Sequence, residues 1–100
     1  MKKNERFHIV RTEKAGVFIC KISSTDGSTY TVTNLRRLYY WSGALDVSTI
    51  AKEGVTNPKG CKFSAQLGDD DKSTLLSVIE VHPVSEKALA IINNVPIWKL

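Results

Sequence analysis

The chain has 100 residues, 42% of them hydrophobic, with 14 Lys and Arg against 10 Asp and Glu, a formal net charge of +4. That length supports one domain, residues 1–100, with one ordinary core, and it excludes a second independent core. The basic balance favours anionic partners such as nucleic acid, nucleotides or acidic proteins. No stretch approaches the roughly eighteen consecutive apolar residues of a membrane span, so no membrane partner is expected.

In chain order, residues 1–6 read as a flexible basic tail. Residues 7–12 alternate and are rich in β-branched types, which predicts a first strand. Glu13 to Gly16 form a turn. Residues 17–23 are apolar on both faces, the pattern of a central strand. Asp26-Gly27 is a hairpin signal because both residues tolerate positive φ, and Tyr30 to Thr33 complete the hairpin. The next stretch, Asn34 to Ala44, is too short for periodicity to decide, but its bulky aromatics favour an extended conformation.

Asp46 is placed to cap a helix over residues 47–53, with Gly54 as its left-handed stop and Val47, Ile50 and Ala51 facing the sheet. Asn57 to Gly60 make a turn, and residues 61–67 alternate as a fourth strand with one wet face. Gly68 to Lys72 are a polar, mobile connection. Residues 75–82 are the strongest strand signal, ended by Pro83 and expected to form a hairpin with the fourth strand. Ser85 caps a second helix running to about Ile92, buried through Ala88, Leu89, Ile91 and Ile92. Val95 to Leu100 form an extended tail whose Ile97, Trp98 and Leu100 should pack on the domain or on a neighbouring chain. The fold class is therefore α+β, a mainly antiparallel sheet of about five strands with two short helices.

Chemistry is sparse. Cys20 lies in an apolar run as a small buried hydrophobe, and Cys61 is far from it. The basic N-terminus has no apolar h-region behind it, which points to a cytosolic protein with reduced thiols. His8 and His82 have no metal-ligand spacing around them, and Asp69-Asp70-Asp71 lacks the alternating ligands of a calcium loop. No phosphate loop or nucleophile elbow is present. We expect no catalytic residues, no metal and no cofactor.

The exception is Arg36 to Trp41, two arginines and three aromatic rings in six positions. If extended, the stretch puts Arg37, Tyr39 and Trp41 on one face and Arg36, Leu38 and Tyr40 on the other. Rings can stack a base while guanidinium groups fork onto phosphate. The same residues could equally fill a core, with the arginines stacked on the rings. Ser42-Gly43 would let a backbone or a ligand come close just past the rings.

At these residues the chain resembles a family of small uncharacterised bacteriophage and prophage proteins. The resemblance rests on Asn34-Leu35-Arg36-Arg37-Leu38-Tyr39-Tyr40-Trp41-Ser42-Gly43-Ala44, supported by Ala15-Gly16-Val17-Phe18, Cys61-Lys62-Phe63 and Val95-Pro96-Ile97-Trp98-Lys99, and covers nearly the whole chain. It implies a phage accessory protein acting in the host cytosol. By analogy, that suggests a homo-oligomeric sponge for a nucleotide-like anionic ligand. The expected ligand-binding set is Arg36 and Arg37 on phosphates and Tyr39, Tyr40 and Trp41 on bases, with Arg11 joining from the first strand and Trp98 from the tail. The alternatives are a nucleic-acid-binding module on the same surface, or an interaction factor that inhibits a host protein.

Overall fold

The computed structural model describes residues 6–99 as an α+β fold, a mostly antiparallel sheet of six strands with two helices packed on it. Of the basic tail expected over residues 1–6, only Arg6 lies within the described residues, and its Nε donates to Val84 O at 3.3 Å. The strands are β1 (Phe7–Thr12), β2 (Val17–Asp26), β3 (Thr29–Tyr40), β4 (Lys62–Phe63), β5 (Ser73–Leu75) and β6 (Val78–Pro83). The helices are α1 (Val47–Glu53) and α2 (Glu86–Asn93).

Local chemistry accounts for most boundaries. Thr12 Oγ1 accepts from the amides of Ala15 and Gly16, both at 2.9 Å, and this closes the β1–β2 turn. Gly27 at φ 61° turns β2 into β3, with Asp26 opposite Thr29. The Asp46 carboxylate accepts from Thr49 N at 2.9 Å to start α1. Gly54 stops it at φ 81°, where a Cβ would sit 2.9 Å from Ile91 Cδ1. Ser85 Oγ accepts from Ala88 N at 3.0 Å to start α2, and the same hydroxyl donates to Lys52 O at 2.7 Å, tying the helices together.

The strand order is β4-β3-β2-β1-β6, and β5 pairs with β3 as well. Since β5 sits beside β3 and β6 beside β1, with only Leu76 and Ser77 between them, the sheet must curl until its two ends are bridged. Register shifts at Ile19/Lys21 and Ile22/Ser24 supply the bending, as bulges do. Val78 N donates to Ser28 O at 3.0 Å, so the β2–β3 turn itself meets the bridging segment.

Three expectations are corrected here. The strand anticipated over residues 75–82 is broken by Ser77 at φ 55° into β5 and β6, which pair with β3 and β1. It makes no hairpin with residues 61–67, because that segment runs along β3 instead, through Ser64 N to Arg37 O and Leu67 N to Leu35 O. The acidic connection is also held down: Asn34 Nδ2 donates to Asp69 Oδ1 at 2.8 Å, and Asp71 Oδ2 accepts from Gly68 N at 2.7 Å.

The curl creates two apolar layers. Inside it lie Val10, Phe18, Cys20, Val32, Leu35 and Leu75. Between the sheet and the helices lie Ile9, Ile19, Leu38 and Phe63 against Val47, Ile50, Ala51, Ala88 and Ile92. Alternation along β1 and β2 feeds both layers, so adjacent residues such as Ile9 and Val10 are both fully buried. Each such side chain contributes about 1.5–3 kcal/mol. Cys20 belongs to the inner layer, and burial pushes its thiol up to about 12, so it acts as a small hydrophobe.

Candidate functional site

The aromatic and basic stretch leaves β3 at its C-terminal end, and the fold splits it. Leu38 pairs with Phe63 and Tyr40 with Lys62, so two steps on β3 answer one on β4 and Tyr39 sits in a bulge. The bulge resets the alternation. Leu38 joins the layer under the helices, and three residues later Trp41 packs against that same layer. Trp41 is therefore not on a shared face with Arg37 and Tyr39, and its assignment as a base-stacking ring is corrected.

Arg36 is corrected as well. It is 6% exposed, on the helix side of β3. Nη1 donates to Ile92 O at 2.9 Å and Nη2 to Val95 O at 2.7 Å, with a longer 3.5 Å contact to Pro96 O, while Nε donates to Ser64 O. Its Cζ lies 5.3 Å from the Phe63 ring centroid. No carboxylate pairs with it among the described residues. The charge is met by carbonyl dipoles at the C-terminus of α2, where the helix presents its partial negative end. Burial pulls the guanidinium below its ordinary pKa, but an arginine so placed keeps its proton at neutral pH. With its donors spent on the backbone, Arg36 has no fork left for a phosphate.

Arg37 lies on the opposite face, its Cζ 4.7 Å from the Phe18 centroid and its Nη1 3.3 Å from Ala15 O. It is half-buried and closes one end of the inner layer. Arg11 stands apart from the rings: it lies opposite Glu80 on β6, with Nε 2.8 Å from Oε1 of that carboxylate. His82 Nε2 lies 2.6 Å from Glu80 Oε2. Hydrogen bonds from His82 and then Arg11 hold the Glu80 carboxyl below its usual pKa.

Ser42 and Gly43 admit a backbone rather than a ligand. Thr56 N donates to Gly43 O at 3.1 Å, and at φ 92° a Cβ on Gly43 would stand 2.7 Å from Thr56 N. Asn57 Nδ2 donates to Ser42 Oγ at 3.1 Å, and Ser42 N to Cys61 Sγ at 3.3 Å.

What internal packing leaves over is a ring surface. Tyr39 is 54% exposed, Tyr40 55% and Trp98 38%. Trp98 reaches this edge because the tail adds alongside β4: Ile97 bridges Phe63 in parallel, and Trp98 N donates to Phe63 O at 2.9 Å. Its ring meets Tyr39 edge-on, with centroids 5.4 Å apart and planes at 63°. Lys62 Nζ lies 5.3 Å from the Trp98 centroid.

Lys62 was missing from the expected set. The alternation of residues 61–67 marks it as outward-facing, but only the β3–β4 register and the docked tail reveal its neighbours. A second signal is visible in the sequence once the fold groups the pieces. Residues 34–45, 54–68 and 87–99, which include the strands and tail of this edge, contain Arg36, Arg37, Lys59, Lys62, Lys87 and Lys99 and no Asp or Glu, with Asp46, Glu53, Asp69 and Glu86 directly flanking them.

A family model for a domain of unknown function, DUF6948, matches residues 5–92. The chain belongs to the DUF6948 family. The DUF6948 match takes in every strand, so Tyr39, Tyr40 and Lys62 lie inside it, while the tail carrying Trp98 lies beyond. Searches of curated proteins and of solved structures found no match. No helix among the described residues is long and apolar enough to cross a membrane.

Proposed function

We propose that this DUF6948 protein is a non-catalytic binding protein for nucleotide-like anions, which it holds by ring stacking and cationic contacts and releases unchanged. The observation that carries this reading is the exposed Tyr39–Trp98 pair with Lys62 over the tryptophan. Exposed rings cost solvation unless something covers them, and a base is a planar partner for them. Lys62 supplies a point charge for phosphate beside the rings. The roles first assigned to Arg36, Trp41 and Arg11 form no part of this reading.

Sequestration of a nucleotide signal in the host cytosol, the role suggested by the phage resemblance, belongs to the same proposal. It calls for an oligomer that presents several such edges. Thermal unfolding with ATP, cyclic dinucleotides and cyclic ADP-ribose isomers tests the binding. At a hundredfold excess over Kd, a ligand adds roughly 2.7 kcal/mol of stability. Stabilisation that disappears in Tyr39→Ala and Trp98→Ala supports the reading. Stabilisation that survives both substitutions places the ligand elsewhere and refutes it.

A further inference from the structure

We propose that the partner of the Tyr39, Tyr40 and Trp98 edge is single-stranded nucleic acid laid across it, an inference that rests on the nucleotide-binding reading above. Three observations lead to a strand rather than an enclosed single nucleotide. The rings are open, with both tyrosines more than half exposed. A hollow of about 360 Å³ beside the tail, lined by Arg36, Gln66, Asn93, Val95 and Ile97, includes none of them. Such a surface leaves one end of a ligand free to continue.

Its size also suits more than one base. The Tyr39 and Trp98 rings lie 5.4 Å apart and Tyr40 follows on β3, so more than one stacking platform is set across the width of the edge. Tyr40 lies opposite Lys62, and Lys62 covers Trp98, so rings and charge alternate across that width. Alternating stacking and phosphate contacts are what a continuous strand requires, since its repeat alternates in the same way.

The third observation is charge. Lys62 stands over Trp98, while the Asp69 carboxylate is bonded to Asn34, five residues before Tyr39 on β3. A duplex keeps its base faces stacked inside, where half-exposed side chains cannot reach them, so the rings select unpaired bases. Stacking is sequence-tolerant, and no base preference is expected.

The test is fluorescence anisotropy of the full chain with a fluorescein-labelled twelve-residue deoxythymidine strand, a duplex of equal length, and ATP as competitor. The single strand should bind, with log K falling against log salt by about 0.7 per phosphate contacted, and the duplex should bind at least tenfold more weakly. Lys62→Gln should lower that slope by about 0.7. Tyr40→Ala should weaken binding about 5- to 150-fold with the slope unchanged and the thermal midpoint of the free protein retained. Equal binding of duplex and strand, or an unaffected Tyr40→Ala, overturns the inference. If ATP or a cyclic dinucleotide raises the thermal midpoint, and Trp98→Ala abolishes that rise, while the strand fails to bind, the inference falls and the nucleotide reading stands. If neither binds, both fall.

Discussion

The Arg36 guanidinium holds the carbonyl of Val95 at 2.7 Å, and three residues further on Trp98 meets the Tyr39 ring. One buried arginine thus fixes the path of the tail that completes the ring surface. Replacing it with Met leaves Val95 O and Ser64 O without that donor, while Ile92 O still accepts from Val95 N at 3.0 Å. At about 1–3 kcal/mol for each unsatisfied group, Arg36→Met should cost roughly 2 kcal/mol or more in urea unfolding. Arg36→Lys keeps the charge but lacks the planar fork, and should recover only part of that loss. With both variants made in a Trp41→Phe background, where Trp98 is the one tryptophan left, the native-state emission should shift to the red as the tail loosens. An unshifted spectrum would mean that the parallel bridge to Phe63 suffices to hold the tail.

Ser85 joins the helices as well as capping one of them. Its hydroxyl accepts from Ala88 N and donates to Lys52 O, and its amide donates to Ala51 O at 2.9 Å. Ser85→Ala should cost about 1–2 kcal/mol, the upper part of the range for a lost N-cap. Ser85→Thr keeps the hydroxyl and should recover most of it. Chemical denaturation followed by far-ultraviolet circular dichroism measures both.

Gly43 tests whether the motif's Ser-Gly exit is structural. Its φ of 92° and the approach of Thr56 N leave no room for a Cβ. Gly43→Ala should destabilise the fold by more than 1 kcal/mol, the sum of backbone strain and a displaced Thr56–Asn57 segment. Ligand affinity per folded molecule should be unchanged. A folded Gly43→Ala protein that had lost ligand binding would instead assign the glycine to the site.

The Arg11–Glu80–His82 cluster predicts acid sensitivity. Glu80 has a folded-state pKa depressed below its ordinary 4.5, so its stabilising contribution is complete above that value and is lost as pH falls through the lower folded-state one. Stability measured between pH 6 and about 3 should fall more steeply in the parent chain than in Glu80→Gln. Because the groups are partly exposed, salt at about 0.5 M should narrow the difference. Parallel profiles at low salt would show that the pair contributes nothing to folding.

Much of this fold was legible because its signals are short-range. Asp46 and Gly54 bound α1, Ser85 starts α2 and Gly27 turns the first long hairpin, each through backbone or side-chain geometry confined to a few residues. The candidate site was legible in composition but not in arrangement. Tyr39, Tyr40 and Trp98 were named as ring residues, while Lys62 was not.

Local patterning was enough for the α+β class, the helix ends, the buried Cys20 and the concentration of rings and cations at residues 36–41. What each of those residues does depends on contacts between segments far apart in the chain. Period-two alternation assumes an unbroken ladder, and the bulge at Tyr39 turned Trp41 inward. Whether Arg36 faced solvent or core depended on which carbonyls a helix 50 residues later brought within its reach. Hydrogen bonds between distant segments carry no local signature, and they separated the arginine that builds the edge from the rings that remain exposed on it.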